Sequence, residues 1–515
     1  MRFSLERTRR VKRASFDLPA LVTLLAFVLI TPLSSATAAE PASVRARIDR
    51  LVQPLLDGQL VEGLIIGVTQ PVDAKDRLVD DSGVAYFGYG RSGAKTATTT
   101  DPTPTADTLF EIGSITKPFT GLLLADMVEQ GEVQLDEPVA KLLPETVKVP
   151  SREGREITLV DLATHTSALP RMPKNFAPAN SADPYADYTA EKLFEFVSSY
   201  ELRRTPGKES VYSNLGMGLL GEALALRAKS SYETLLRERI WQPLEMNETR
   251  VKLDDSARDK MAAGHDADGV PLANWEFQAL AGAGGIRSSA RDMVKFLRAN
   301  LYLPAGANTP GAPAELPKIP DTLRRALALS QTPRHAMKSP PGEIALAWMV
   351  PPGGKAIWHN GQTGGFHSFA AFDRSRGTGV VVLSNSAVRA VDDLGERLLQ
   401  LLAGEEPEPP QVRQIAQVDP AVLKQYVGEY ALDTGVGGTS PFTVTFDHNR
   451  LWAQLPLQPK AGIYPESESV FFYKMVDAQV TFYKDSTGKV ERLVLHQAGR
   501  DMEAKLQPAK AAAKE

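Results

Sequence analysis

Three short stretches of the 515-residue chain place groups capable of acyl-transfer chemistry at fixed spacings. The first is Glu111-Ile-Gly-Ser-Ile-Thr-Lys-Pro-Phe119, at the entrance to an apolar run. Ser114 and Lys117 are three apart, so on a helix they share a face and the amine lies beside the hydroxyl. A serine hydroxyl is a poor nucleophile without a base in reach, and a buried lysine of lowered pKa can be that base. Helix-start amides beside Ser114 can add an oxyanion site, and Pro118 falls in the first turn, where a missing amide costs least. In isolation the pair also reads as a capping serine next to a solvated lysine, and roughly two Ser-x-x-Lys matches arise by chance in a chain this long. The second stretch, Pro206-Gly-Lys-Glu-Ser-Val-Tyr-Ser-Asn214, puts Tyr212 and Asn214 two apart in an extended turn, pointing the same way. The phenol can accept or relay a proton from Ser114 once cations depress its pKa, and the amide can hold a substrate carbonyl. A tyrosine-capped turn before a helix fits the same residues. The third stretch is Trp358-His-Asn-Gly-Gln-Thr-Gly-Gly-Phe-His367. There Gly361 permits close backbone approach, an amide of Gln362 is a candidate second oxyanion donor, and His359 is expected at the cleft edge as a titratable cation. A strand-end histidine and a glycine turn would look alike.

These residues need a scaffold, and the apolar patterning supplies elements for one. Residues 41–60 read as an amphipathic helix with Val44, Ile48, Leu51 and Leu55 at helical spacing. Leu64–Val68 and Val84–Tyr89 read as paired strands, separated by a polar loop over 73–81 expected to be exposed. The run from Gly121 to Glu129 predicts a helix stopped near Gly131. Residues 300–320, rich in Pro, Gly and Ala, predict a surface excursion. Strands follow at 356–359, 369–372 and 379–384, and a helix over 391–402. Ser289-x-x-Asp292 reads as a capping box, and His165 as structural. The run Glu405-Glu-Pro-Glu-Pro-Pro410 reads as a linker crossed by few contacts. Beyond it, short strands at 442–446, 451–455, 470–473, 480–484 and 490–496 predict a separate antiparallel β unit.

Composition narrows the functional classes. The chain is 43% hydrophobic and 23% charged, with a net charge of −4 and no cysteine. That excludes disulfides, thiolate metal sites and a cysteine nucleophile. Residues 1–39 combine a basic start (Arg2, Arg7, Arg9, Arg10, Lys12, Arg13), an apolar run over 18–30 and small residues near 36–39. This is the plan of a secretory signal peptide, too short in its apolar part to span a bilayer. Its loss removes six basic and two acidic side chains, shifting the charge from −4 to −8. An acidic mature chain has no electrostatic footprint for nucleic acid, so a small-molecule or peptide substrate is the expected partner, with no nucleic acid and no stable membrane insertion after cleavage. No Gly-x-Ser-x-Gly or His-Glu-x-x-His occurs, which argues against an ordinary α/β-hydrolase or a zinc peptidase. No metal and no cofactor is expected.

The order of the motifs, Ser114-x-x-Lys117, Tyr212-x-Asn214 and His359-x-Gly361, resembles the penicillin-recognising serine hydrolases, in the class C β-lactamase and D-alanyl-D-alanine carboxypeptidase branch. The likeness extends over residues 40–402 through the blocks 159–170, 283–292 and 382–385. It implies Ser114, Lys117 and Tyr212 as catalytic residues, and Asn214, His359, Gly361 and Gln362 as substrate-binding residues. It also implies a mixed α and β (α+β) fold: an antiparallel sheet flanked by helices, with a helical subdomain near 120–290. The organisation expected is signal peptide 1–39, hydrolase domain 40–404, linker 405–415, antiparallel β domain 416–508 and a disordered tail 509–515. Two departures stand out. His359-Asn360-Gly361 replaces the Lys-Thr-Gly of class C β-lactamases, and those enzymes lack the C-terminal β unit; both point away from efficient β-lactam turnover. The function expected is an exported, periplasmic or secreted hydrolase forming an acyl-enzyme on D-alanyl peptides or β-lactam-like amides. The alternatives are a carboxylesterase on the same scaffold and a non-catalytic cell-wall binder.

Overall fold

Strands that are apolar at every position, not only at alternate ones, fix the middle of the molecule. The computed structural model describes residues 44–508 apart from 75–76, 81, 95–101, 303–317, 434–437, 457–459 and 498. The strands Gly63–Thr69 and Thr378–Ser384 are buried along their whole length and pair antiparallel, Leu64 opposite Ser384 through Thr69 opposite Gly379. Successive side chains go to opposite faces. Leu64, Ile66, Val68, Val380 and Val382 pack into one core with the helices Val44–Asp57 and Ala390–Leu402. Ile65, Val381 and Leu383 pack into the other, larger core with Thr116–Glu129, Asn214–Ala228 and Ala290–Tyr302. Helices on both faces require this continuous apolar patterning.

The full sheet has eight antiparallel strands in the order Val84–Gly90, Gly63–Thr69, Thr378–Ser384, His367–Asp373, Ile357–Gln362, Met349–Val350, Pro341–Ile344, His335–Lys338. The helices of residues 116–302 form the second layer. Thr116–Glu129 and Asn214–Ala228 are apolar nearly all round and are buried on almost every side, as helices at the centre of a large domain must be. The mixed fold expected from the sequence is the one observed.

Residues 428–506 form a closed barrel of eight antiparallel strands, shut by pairing of Gly428–Asp433 with Arg500–Leu506. Its interior is filled by Tyr426, Tyr430, Phe442, Leu451, Ile463, Phe471, Phe482 and Leu493 among others. An eight-stranded barrel is narrow enough for side chains to fill. Five of these strands were expected; Gly428–Asp433, Ala461–Pro465 and Arg500–Leu506 were not.

Four further expectations need correction. The 73–81 loop is not wholly exposed, because Leu78 and Val79 are buried and the Leu78 amide donates to Gln70 Oε1 at 2.9 Å. Asn300 is buried at the end of Ala290–Tyr302, donating to the Phe296 carbonyl, so the surface excursion does not start there; residues 303–317 lie outside the described residues. Ser289 Oγ does accept from the Asp292 amide, but the Asp292 carboxylate reaches across to the Glu248 amide and the Thr249 hydroxyl and does not close a box. The acidic, proline-rich run is also not a free linker. Glu406 pairs with Arg47 at 2.6 Å and Arg50 at 3.3 Å, and the Pro407 carbonyl accepts from Arg50 at 2.8 Å. Extended, carboxylate-bearing backbone is suited to lie along the arginine face of an N-terminal helix, and here it does. The expected signal peptide, 1–39, and tail, 509–515, fall outside the described residues. Among the described residues no helix is long and apolar enough to cross a membrane.

Candidate active site

Ser114 sits in a single turn of 3-10 helix, Gly113–Ile115, that feeds directly into the helix Thr116–Glu129. The turn is pressed against the strand Ile357–Gln362, and two glycines make the approach possible. A Cβ on Gly361 would fall 2.0 Å from the Ile112 carbonyl oxygen and 2.9 Å from the Ser114 amide. Gly113 has φ +49°, and a Cβ there would fall 2.6 Å from the Gln362 amide. Buried Ser368 on the next strand donates to the Ile112 carbonyl at 2.9 Å and fixes the turn in place. The Ser114 and Gln362 amides thus lie on facing backbone segments beside the Ser114 hydroxyl.

Lys117, one turn on, is fully buried, with Nζ 2.8 Å from Ser114 Oγ and 2.7 Å from the Ala283 carbonyl that it donates to. Burial, and secondarily the Arg171 guanidinium, holds its pKa well below the ordinary lysine range. A neutral amine in this position keeps one N–H for Ala283 and turns its lone pair to the serine. Tyr212 completes the cluster by hydrogen-bonding Ser114; burial pushes its phenol up to about 12 despite that bond and nearby Arg171. The expectation that cations depress this phenol is therefore corrected: desolvation outweighs them and favours the protonated phenol. Lys117 Nζ and the Arg171 guanidinium lie 4.7 and 5.0 Å from its ring centroid.

Two buried imidazoles flank this ring. His165 lies 4.5 Å away, its Nδ1 accepting from the Ser213 amide at 3.3 Å, and it occupies the left-handed region at φ +58°. It packs the tyrosine and reaches no solvent, in keeping with a structural role. His359 lies 6.3 Å from the Tyr212 ring and is 1% exposed. Its Nδ1 donates to the Asn360 carbonyl at 2.5 Å, and burial, reinforced by Lys117, drops its pKa to about 3. The expected titratable cation at the cleft edge is thus a neutral imidazole under the cleft floor. Strand alternation is the reason: His359 points inward, while Trp358, Asn360 and Gln362 point to the opening. Asn360 donates to Asp392 Oδ2 at 2.8 Å, and the other oxygen of Asp392 lies 2.8 Å from His367 Nε2.

Asn214, at the start of Asn214–Ala228, lines the same cavity with a buried Oδ1 that has no hydrogen-bond partner among the described residues. The cavity measures about 750 Å³ and brings together Ser114, Tyr212, Asn214, Gly361 and Gln362 of the expected residues, within the range of small-ligand sites. Sequence reasoning missed Arg171, Tyr185, Trp275 and Asn360 on its walls, and Trp452, Tyr464 and Lys474 from the barrel. Asn360 was readable from its place between His359 and Gly361; the others carry no motif. Among the described residues no cluster of three or more His, Asp or Glu is placed to hold a metal.

Comparison with known proteins places the chain in a family. The Beta-lactamase family model matches residues 49–405, and a domain of unknown function, DUF3471, matches residues 413–511. A β-lactamase of Escherichia coli K12 is 27% identical over 396 residues, 70% of this chain and 94% of that protein. The D-alanyl-D-alanine-carboxypeptidase/endopeptidase AmpH of the same organism is 32% identical over 260 residues, 50% of this chain and 62% of AmpH. Among solved structures, a β-lactamase/D-alanine carboxypeptidase from Yersinia pestis aligns over 70% of this chain and 98% of its own, with TM-score 0.57 and 22% identity. A class C β-lactamase aligns over 69% of this chain and 96% of its own, with TM-score 0.56 and 21% identity; at these identities both speak to the fold. A family match over more than two-thirds of the sequence, on a chain whose serine and lysine meet in one cleft, makes this protein a serine hydrolase of the Beta-lactamase family, similar in sequence to a β-lactamase and to a D-alanyl-D-alanine-carboxypeptidase/endopeptidase.

Proposed function

We propose that this chain is an exported hydrolase that cleaves D-alanyl peptides or β-lactam-like amides through an acyl-enzyme on Ser114. One observation carries the reading: a buried Lys117 amine, its pKa lowered by burial, 2.8 Å from the Ser114 hydroxyl that lines an open cavity. The amine takes the hydroxyl proton as Oγ bonds to the substrate carbonyl carbon. Negative charge develops on the carbonyl oxygen, facing the Ser114 and Gln362 amides. The amide C–N bond breaks as the Tyr212 phenol gives its proton to the leaving nitrogen, and the Lys117 ammonium, beside the tyrosine ring, returns the proton it took from Ser114 to the phenolate. Water then repeats the sequence on the ester and frees Ser114. Asn214, with its unpartnered carbonyl oxygen, is suited to hold a substrate amide N–H. The substrate class is supported by the names of the relatives, and export by the basic and apolar N-terminal segment.

The test is labelling of the full-length protein by a fluorescent penicillin and by a fluorophosphonate, together with release of D-alanine from D-alanyl-D-alanine peptides. Both labels should mark Ser114, and Ser114→Ala should lose labelling and turnover, since losing a nucleophile costs several orders of magnitude. Residual turnover above about 1% in Ser114→Ala contradicts the assignment. Turnover of short p-nitrophenyl esters with none of the peptides would assign a carboxylesterase instead.

A further inference from the structure

The cavity over Ser114 is not closed by the hydrolase domain alone. One wall belongs to the barrel, where Trp452, Lys460, Tyr464 and Lys474 face the same space as Ser114 and Tyr212. The barrel is held there by the ion pair between Arg450 and Asp268 and by Met475, which packs on the apolar core under the sheet. The two aspartates on this wall are already engaged. Asp268 pairs with Arg450, and Asp266 Oδ1 accepts from the Asp268 and Val270 amides at 2.8 and 2.9 Å. Among the described residues, Lys460, Lys474 and Arg171 have no carboxylate within ion-pair distance. The lysines instead lie on aromatic faces, Lys474 Nζ 4.5 Å from the Tyr464 ring centroid and Lys460 Nζ 5.3 Å from that of Trp452. Lys474 is half-buried, and burial lowers its pKa against the weaker pull of Asp266 and Asp268. Cations with no directly paired carboxylate, gathered at a cavity beside half-buried Trp452 and the ring of buried Tyr464, suit an anion carried on an apolar stem. The neutral state of His359 sharpens the point, because the catalytic strand offers no cation of its own to this space.

We infer that the barrel wall is a substrate subsite in which Lys460 and Lys474, over Trp452 and Tyr464, receive a carboxylate borne beyond the bond that Ser114 attacks. The inference rests on the hydrolase reading above and places the substrate preference in the segment matched to a domain of unknown function.

Its test uses the full chain and p-nitrophenyl esters whose acyl chains of graded length end either in a carboxylate or in the isosteric primary amide. Acylation is read as p-nitrophenol release and as mass added to the intact protein, with fluorophosphonate labelling run in parallel. At the chain length that reaches the wall, the carboxylate ester should be preferred about 10-fold, the size of one charge-assisted contact. The preference should weaken with added salt. In the Lys460→Met/Lys474→Met double variant the ratio of the two rates should fall toward one, while Lys460→Arg/Lys474→Arg should keep it. A ratio near one in the native protein, or an equal fall of both esters in the Met variant, overturns the subsite while labelling at Ser114 leaves the hydrolase reading standing. So does an enzyme that takes the fluorophosphonate but neither ester. Absence of fluorophosphonate labelling overturns the hydrolase reading itself.

Discussion

At the scale of single residues, burial decides which group does what. Lys117 and Tyr212 are both desolvated, and desolvation disfavours the charged form of each: it pulls the amine down and pushes the phenol up. In the proposed mechanism the amine is therefore the base and the phenol the donor. Rate should accordingly rise with pH as Lys117 loses its proton and hold level until the phenol begins to ionise toward about 12. A pH–rate profile of kcat/KM with a neutral ester would show it; a rate that falls with pH over the same limb contradicts the assignment. Lys117→Ala and Tyr212→Phe should each lose nearly the same rate, and the double variant little more, because one proton path serves both. Multiplicative losses would mean separate roles. His359 contributes differently. Its folded pKa of about 3 lies below the ordinary 6.5, so as pH falls beneath 6.5 the unfolded chain binds a proton that the folded imidazole refuses. Stability is present above 6.5 and is lost on acidification, by roughly 2 kcal/mol between pH 6.5 and 5 from this group alone. His165, depressed by burial in the same direction, adds to it. Denaturant unfolding across this range should show a slope one proton smaller in His359→Gln; an unchanged slope would place His359 in contact with water.

At the scale of elements, the site depends on a turn and a strand approaching to backbone contact. Gly361→Ala would drive a methyl into the Ile112 carbonyl, and relief requires the strand and the nucleophile turn to separate. The variant should lose about 1–3 kcal/mol of stability and, more sharply, its rate of acylation, measured on protein shown to be folded. Wild-type acylation in Gly361→Ala would show that the two backbones need not meet. This close approach was foreseeable from the glycine in His-x-Gly, just as the Ser114 and Lys117 pair was from helical spacing. The direction of His359 was open to the same reasoning: on a strand, if Asn360 faces the opening, its neighbour faces inward. The cationic role came from motif position, and alternation overrode it. In the barrel, Arg500–Leu506 has the sequence RDMEAKL, whose single fully buried residue, Ala504, gives no apolar alternation to read. Ala461–Pro465 is similarly short and carries glycine and proline. Closure of the barrel, not local pattern, makes them strands.

At the scale of the whole molecule, the cavity joins residues more than three hundred positions apart, from Ser114 to Lys474, and no local signal reports such a wall. The proline- and glutamate-rich run suggested two independent units; instead its Glu406 carboxylate is held by Arg47 and Arg50, and the barrel seats Met475 on the sheet's apolar core. With Glu406 itself largely exposed, these pairs are weak holds, Glu406→Ala costing about 1 kcal/mol. The apolar contact and the Arg450–Asp268 pair matter more. Met475→Asp, which buries a carboxylate against that core, should speed proteolytic cutting within residues 405–412 and weaken the carboxylate preference of the esters. Cutting at the native rate would mean that the barrel is held without this contact.

The central claim, that Ser114 carries the substrate's acyl group, is met most directly by stopping the reaction during turnover of a D-alanyl-D-alanine peptide or a slow β-lactam and weighing the intact protein. The mass should rise by that of the acyl group, peptide mapping should place the increment on the segment holding Ser114, and Ser114→Ala should show none. An unmodified protein throughout turnover, or an adduct that survives Ser114→Ala, would contradict the account.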